Sequence, residues 1–291
     1  MVSVSAINEY GYSINFSQDT ELVVIDIDGL HPIKTTINSS PIPGYRASLY
    51  NSTSYENRNI VLSIAINDYN SNGRNKLNQV FSTGSKVTLT IGNHYIDGYV
   101  ESNEYNPFNS KIIAQISIVC LQPYFYNGIS KNVKITNIDN AFMFPFSAPA
   151  SGIVLGNIKD SYLTNVVNLG DVPCGCIIKA TFNDDVSSFV IFNEGKEQEI
   201  DVGYTFSQGD ELTIDTRFAN KSGYVIGPST SYEKYDLMRY IYNVVNWIEI
   251  DVGNNMIGYT NGSSSEDDNG NIDVSIEFSE MVGGLWWMYI F

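Results

Sequence analysis

The sequence predicts a mainly β protein of two domains, and three observations predict it. Of 291 residues, 20 are tyrosine and 14 phenylalanine, set among many Ile, Val and Thr, a mixture that suits pleated, half-buried surfaces. Apolar residues recur mostly at every second position, in short runs separated by turn pairs such as Asp28-Gly29, Gly92-Asn93, Asn183-Asp184 and Asn269-Gly270. Only one stretch of the first half, 71–81, changes to helical spacing: Leu77, Val80 and Phe81 share a face, Asn70 or Ser71 can cap the start, and Thr83-Gly84 ends it.

Taken in order, 21–27 is a β-rich run closed by Asp28-Gly29, which predicts a first hairpin. Residues 59–66 alternate, with Ile60, Leu62, Ile64 and Ile66 on the buried face. A second hairpin follows the helix, from 86–91 through Gly92-Asn93 to 94–100. A long strand then carries Ile112, Ala114, Ile116, Ile118 and Cys120 on one side and stops at Gln122-Pro123. The first domain is set at 1–130 and the second at 131–291. The second opens with a Pro-punctuated aromatic segment around Phe142 to Phe146. It continues as short β runs at 177–182, 188–192, 198–202, 211–215, 247–251, 256–259 and 272–278, the cadence of an antiparallel sandwich. Residues 235–245 fit either a short helix or a continuous buried strand. The closing Leu285 to Phe291 run reads as a final strand of that sandwich, with a protein interface as the sharper alternative.

Charge and cysteine usage narrow the functional classes. A formal charge of −16 and scattered Lys and Arg disfavour nucleic-acid recognition. Cys120, Cys174 and Cys176 make an odd count with no disulfide or zinc spacing, which suits a reducing compartment. The first ten residues lack the pattern of a signal peptide, and no run is long enough to span a membrane.

Several pieces, in order, resemble the distal tail protein family of siphophages. In the first half they are Asn57-Arg58-Asn59-Ile60, the helix from Arg74 to Phe81, Tyr95-Ile96-Asp97-Gly98-Tyr99-Val100 and Val119-Cys120-Leu121-Gln122-Pro123-Tyr124-Phe125-Tyr126. In the second they are Asn168-Leu169-Gly170-Asp171-Val172-Pro173, Gly209-Asp210-Glu211-Leu212-Thr213-Ile214-Asp215-Thr216, and Trp247 to Asn255 with Val252 where the family usually has Pro. The resemblance implies an N-terminal β-sandwich with one helix and a protruding hairpin, followed by a galectin-like sandwich. It implies a homo-hexameric ring at the virion's tail tip, assembled in the host cytoplasm. That ring joins the tail tube protein to tail tip and receptor-binding proteins. The acidity is compatible with a negative channel wall past which DNA slides. The 86–100 hairpin is the expected interface edge, through Lys86, Thr88, Thr90, Asn93, Tyr95 and Tyr99.

No catalytic set, metal site or cofactor is expected. His31 and His94 are far apart and belong to no metal-binding motif. Cys174-Gly175-Cys176 reads as a loop without partners, and Cys120 as a small core hydrophobe. Residues 266–273 resemble a calcium loop but place Ile272 where glycine is needed and lack the closing glutamate, so a solvated turn is favoured. Asp184 with Asp185, and Asp210 with Asp215, are the carboxylate pairs a hydrolase would use, and acidic turns explain them as well. The alternative to a hub is a carbohydrate-binding adhesin, for which Trp247, Trp286 and Trp287 are the candidate sugar or partner contacts. The second half contains no histidine, so it lacks the sugar-binding galectin pattern.

Overall fold

A computed structural model describes residues 2–16, 21–67, 72–106, 108, 112–135, 138–139, 157–158, 163–196, 198–242, 247–261 and 272–285. The chain divides into two compact units, Met1–Ile129 with Met281–Phe291, and Ser130–Glu280.

The first unit contains β1 (Val4–Asn8), β2 (Ser13–Asn15), β3 (Leu22–Asp28), β4 (Thr35–Pro41), β5 (Ser48–Tyr55), β6 (Arg58–Ile66), α1 (Asn72–Val80), β7 (Lys86–Ile91), β8 (His94–Glu104), β9 (Ile112–Cys120) and β10 (Phe125–Asn127). One continuous sheet runs β2-β1-β7-β8-β9-β6-β3. Strand β8 joins its halves: Lys86↔Tyr99 to Ile91↔His94 pairs it with β7, and Tyr99↔Val119 to Glu104↔Gln115 pairs it with β9, across a register shift at Glu101. Such a bulge re-aims the strand, and the inner residues of all these strands share one core. The alternation of β6 is realised as expected, with Ile60, Leu62 and Ile64 fully buried and Ile66 nearly so. Helix α1 buries Leu77 and Val80, and Phe81 just beyond it stacks on Phe16 at 6.4 Å. Each fully buried side chain of this size contributes roughly 1.5–3 kcal/mol. The side chain of Asn8 donates to the Gln79 carbonyl at 2.8 Å and accepts from the Tyr10 and Tyr12 amides, fastening the β1–β2 turn to the helix end.

Asp28-Gly29 does not form the expected hairpin. Strand β3 pairs with β6 instead, and Gly29 is required because a Cβ there would lie 2.1 Å from the Asn59 carbonyl oxygen, at φ +86°. The hairpin of this region is formed later, by β4 and β5, which pair only with each other among the described strands.

The second unit contains β11 (Lys131–Ile135), β12 (Ile138–Asp139), β13 (Asn157–Ile158), β14 (Leu163–Asn168), β15 (Cys174–Phe182), β16 (Phe189–Asn193), β17 (Gln198–Val202), β18 (Glu211–Asp215), β19 (Ser222–Ile226), β20 (Tyr235–Asp236), β21 (Ile241–Tyr242), β22 (Glu249–Ile250), β23 (Gly253–Thr260) and β24 (Ile272–Phe278). Its two main antiparallel sheets run β11-β24-β15-β18-β19-β20 and β14-β23-β16-β17-β21. They meet face to face: Phe182 of the first sheet lies edge-on to Phe189 of the second at 5.9 Å, and Phe206 stacks on Phe182. The undecided stretch 235–245 resolves into β20, a 3₁₀ turn at Met238–Tyr240 and β21, while 243–246 lie outside the described residues.

The last described strand, β25 (Met281–Val282), corrects the domain limits. It pairs with β10 of the first unit, through Phe125↔Val282 and Tyr126↔Met281, and Leu285 is buried in the first unit's core. A domain of 131–291 therefore overruns by the segment from Met281, because the free side of β10 and the apolar pocket for Leu285 belong to the first unit. Residues 286–291, including Trp286 and Trp287, lie outside the described residues, as do Phe142 to Phe146 and 266–271 of the calcium-like loop.

Candidate assembly surfaces and the motif residues

Two motifs of the first unit, 57–60 and 119–126, meet at a buried arginine. Arg58 is 2% exposed. Its Nε donates to the Pro123 carbonyl at 2.6 Å, Nη1 to the carbonyls of Gly29 and His31, and Nη2 to that of Gly283 at 2.5 Å. The guanidinium also lies 4.6 Å from the centroid of Phe125. Burial pushes its pKa down to about 10, which still leaves it charged near neutrality, as suits a fork feeding carbonyl oxygens. Gly98 of the third motif is needed for closeness: a Cβ there would meet Ile118 at 2.5 Å and the Cys120 sulfur at 2.9 Å. Tyr126 stacks on Tyr95 at 5.1 Å.

The polar motif residues of the second unit hold turns. Asn168, fully buried, donates to the carbonyls of Val172 and Ile250 at 3.0 Å each and accepts from the Gly170 amide at 2.8 Å. Asp210, also fully buried, accepts from the amides of Ser207 and Ser229. Asp215 is gripped by Arg217 through Nε and Nη2, and Thr216 exchanges hydrogen bonds with the backbone of Cys176. Asn255 accepts from the Asp251 amide at 2.9 Å and donates to the Asp251 carbonyl at 2.8 Å. Sequence order showed these residues to be a signature, whereas the reason for each, a turn carbonyl or amide that a side chain must satisfy, appears only in three dimensions.

The chemistry candidates are absorbed in the same way. Asp184 accepts from the Asp185 amide within its own turn, and Asp185 accepts from the Gln208 amide, tying that turn to the one before β18. Cys174 and Cys176 are on strand β15, not a loop, because β22 and β18 pair along it. Burial pushes both thiols, and that of Cys120, up to about 12. Burial pushes the His94 imidazole down. Among the described residues no group of three His, Cys, Asp or Glu side chains is placed to hold a metal ion, and no helix is long and apolar enough to cross a membrane.

The expected interface hairpin is not an edge. Strand β7 lies between β1 and β8, and β8 between β7 and β9, so their backbone groups are already paired. Lys86, Thr88, Thr90, Tyr95 and Tyr99 instead line the sheet face away from the core, with Asn93 at the turn. There Asp97 accepts from Thr88 at 2.6 Å and pairs with Lys86 at 3.0 Å. Among the described strands the end strands β2 and β3 of this sheet have one unpaired edge each, and so do both β4 and β5, whose arm exposes Ile37, Leu49, Tyr50, Tyr55 and, at the turn, Tyr45, each at 60% or more. Trp247 is not a platform: it is 7% exposed, with Lys221 Nζ 5.5 Å from its ring.

Among the described residues the two units define a class: a β protein with one α-helix, whose motif residues lock turns and joints and which carries an exposed apolar arm. Residues 169–281 match the model of the siphovirus-type tail component, C-terminal domain, the family that the motif residues resemble. No curated protein sequence matches it. Among solved structures it is similar to the Dit protein of phage SPP1, described as a paradigm of the hub adsorption apparatus in phages infecting Gram-positive hosts. That likeness has a TM-score of 0.66 at 12% identity over 96% of this chain and 98% of that one. It is also similar to a chain of the phage p2 baseplate in its activated conformation, with strontium or with calcium, at a TM-score of 0.55 and 10% identity over 95% and 98%. At these identities the likeness to solved structures is one of fold.

Proposed function

We propose that the chain is a non-enzymatic hub of a siphophage tail tip, present in the virion as a homo-hexameric ring that links the tail tube to tip and receptor-binding proteins. The observation that carries the self-assembly is the β4–β5 arm. An isolated two-stranded hairpin is marginal in water, and among the described strands this one has both edges unpaired and its tyrosines and aliphatic side chains exposed. A neighbouring copy that receives the arm removes that cost, and a head-to-tail contact of this kind closes into a ring when its rotation does. The outer face with Lys86, Thr88, Thr90, Tyr95 and Tyr99 is a second contact surface in this reading, engaged through side chains instead of backbone pairing. The likeness to the hub of phage SPP1 and to the p2 baseplate supports the placement.

The test is the solution mass of the full chain by light scattering across concentration and salt. A mass near six protomers is expected, and replacement of 35–55 by a short Gly-Ser linker yields a folded monomer. A strict monomer at every concentration overturns the self-assembling ring, and a hexamer that survives loss of the arm overturns the arm's role. The adhesin alternative is weakened at one point by the burial of Trp247.

A further inference from the structure

We propose that Tyr204, Tyr235, Tyr240 and Arg239 of the second unit form a binding site for a saccharide carrying an anionic group, a carboxylate or a phosphate. The inference is independent of the ring. Three half-buried tyrosines meet here: Tyr204 lies 5.3 Å from Tyr240, edge-on, and 6.0 Å from Tyr235, and the last two are 6.4 Å apart. Arg239 is exposed and lies over two of the rings, 4.8 Å from the centroid of Tyr240 and 5.5 Å from that of Tyr235. Its Nη2 donates to the Tyr235 hydroxyl and, at 3.0 Å, to the Tyr240 hydroxyl.

The partners of this guanidinium decide the ligand's charge. Among the described residues the ion pairs involve Lys86, Lys131, Lys179, Lys196 and Arg217, and none includes Arg239. In a chain with a net charge of −16, a surface arginine held by phenols and not by a carboxylate keeps its charge available. The neighbouring carboxylate, Asp236, is engaged by the Met238 amide at 2.7 Å. A guanidinium takes a carboxylate or phosphate through two parallel hydrogen bonds, the parts of the half-buried tyrosine rings left exposed beside Arg239 suit the C–H side of a pyranose, and their hydroxyls both donate and accept.

The site is pre-organised by the buried motif. Asp210 accepts from the Ser229 amide at 3.1 Å, and Ser229 Oγ stands 3.3 Å from the Tyr204 hydroxyl. Gly227 must be glycine for that packing, since a Cβ would fall 2.3 Å from Asp210 Oδ1. Leu237, fully buried between the two sequence neighbours of the cluster, anchors Tyr235 and Tyr240. In the same loop Ser231 and Tyr232 hold positive φ angles of 55° and 62°, a conformation that costs non-glycine residues energy and that presents Tyr232 73% exposed. A patch of three rings suits one or two sugar residues and falls well short of the ~800 Å² per partner of a stable protein interface.

The experiment is calorimetric titration of the full chain with an oligogalacturonate, a phosphorylated malto-oligosaccharide and a neutral malto-oligosaccharide. At least one anionic oligomer is expected to bind more tightly than the neutral one, and which of the two does so identifies the anion. Arg239→Gln weakens that binding about tenfold and Tyr240→Phe about threefold, whereas Lys34→Gln, an exposed lysine of the first unit, changes nothing. Absence of binding, equal affinity for the neutral sugar, or an equal loss with Lys34→Gln overturns the site. So does a tail protein whose capture depends on Arg239 while no oligosaccharide binds, which assigns the patch to protein docking. Arg239→Gln leaves the light-scattering mass unchanged, so failure here and failure of the ring are distinguishable.

Discussion

Arg58 and Gly283 are 225 residues apart in sequence and are joined by a hydrogen bond of 2.5 Å from guanidinium to carbonyl. The whole second unit lies between them in the chain. One buried side chain at the start of β6 thus fastens the segment after β24 to the turn before β10 and the loop after β3. Removing it strands four carbonyl oxygens inside the fold, and each unsatisfied group costs about 1–3 kcal/mol. Arg58→Met is expected to lower the stability of the first unit by about 3–5 kcal/mol in urea unfolding. Arg58→Lys recovers part of this, because an ammonium cannot reach all four acceptors. Hydrogen exchange at the Leu285 amide, which donates to the Leu30 carbonyl at 2.9 Å, accelerates in both variants. Unchanged exchange there would show that the terminal segment does not depend on the arginine.

Gly29 tests the close approach of β3 to β6. Alanine at this position combines a positive φ with a Cβ 2.1 Å from the Asn59 carbonyl oxygen. Gly29→Ala is expected to cost about 2–4 kcal/mol, more than the 1–3 kcal/mol of backbone strain alone. Gly44→Ala, also at positive φ but with open space around it, should cost only the strain. Equal losses in the two variants would remove the argument from crowding.

Asn168 tests the turn locks. Asn168→Ala removes three hydrogen bonds from a fully buried site and is expected to destabilise the second unit by about 2–3 kcal/mol, leaving the first unit's transition in place. Asn168→Asp should be at least as harmful, since a carboxylate would face the Val172 and Ile250 carbonyls that now accept hydrogen bonds. Differential scanning calorimetry with two resolved transitions distinguishes a local lock from a global one.

The three thiols give a pH prediction. Burial raises each from 9.0 to about 12, so the folded state retains protons that the unfolded state releases. Their contribution is fully present below pH 9 and is lost as the pH climbs toward 12. The melting temperature should therefore fall above pH 9, and less so when Cys174 and Cys176 are replaced by alanine and valine. At neutral pH a thiol reagent should modify none of the three in the folded chain and all three after denaturation.

The period of the apolar residues determined by itself where most strands and the helix lie, because alternation and helical spacing are local properties. Ile60, Leu62, Ile64 and Ile66 face a core whatever that core is, and Leu77, Val80 and Phe81 need only one side of a helix. Motif order likewise carried the resemblance that the match of 169–281 to the siphovirus-type tail component supports. What stayed hidden is everything that depends on pairing at a distance. Alternation says that 86–91 and 94–100 are strands but not that β1 and β9 flank them, so the hairpin was read as an edge and the true arm at β4–β5 was not. Asp28-Gly29 is a turn signal in sequence, yet the glycine serves a passing strand. Tyrosines 204, 235 and 240 lie on separate elements and carry no spacing that joins them. The return of Met281 to β10 and the reach of Arg58 to Gly283 are long-range hydrogen bonds, and only the tertiary structure decides which carbonyls are left for one guanidinium to satisfy.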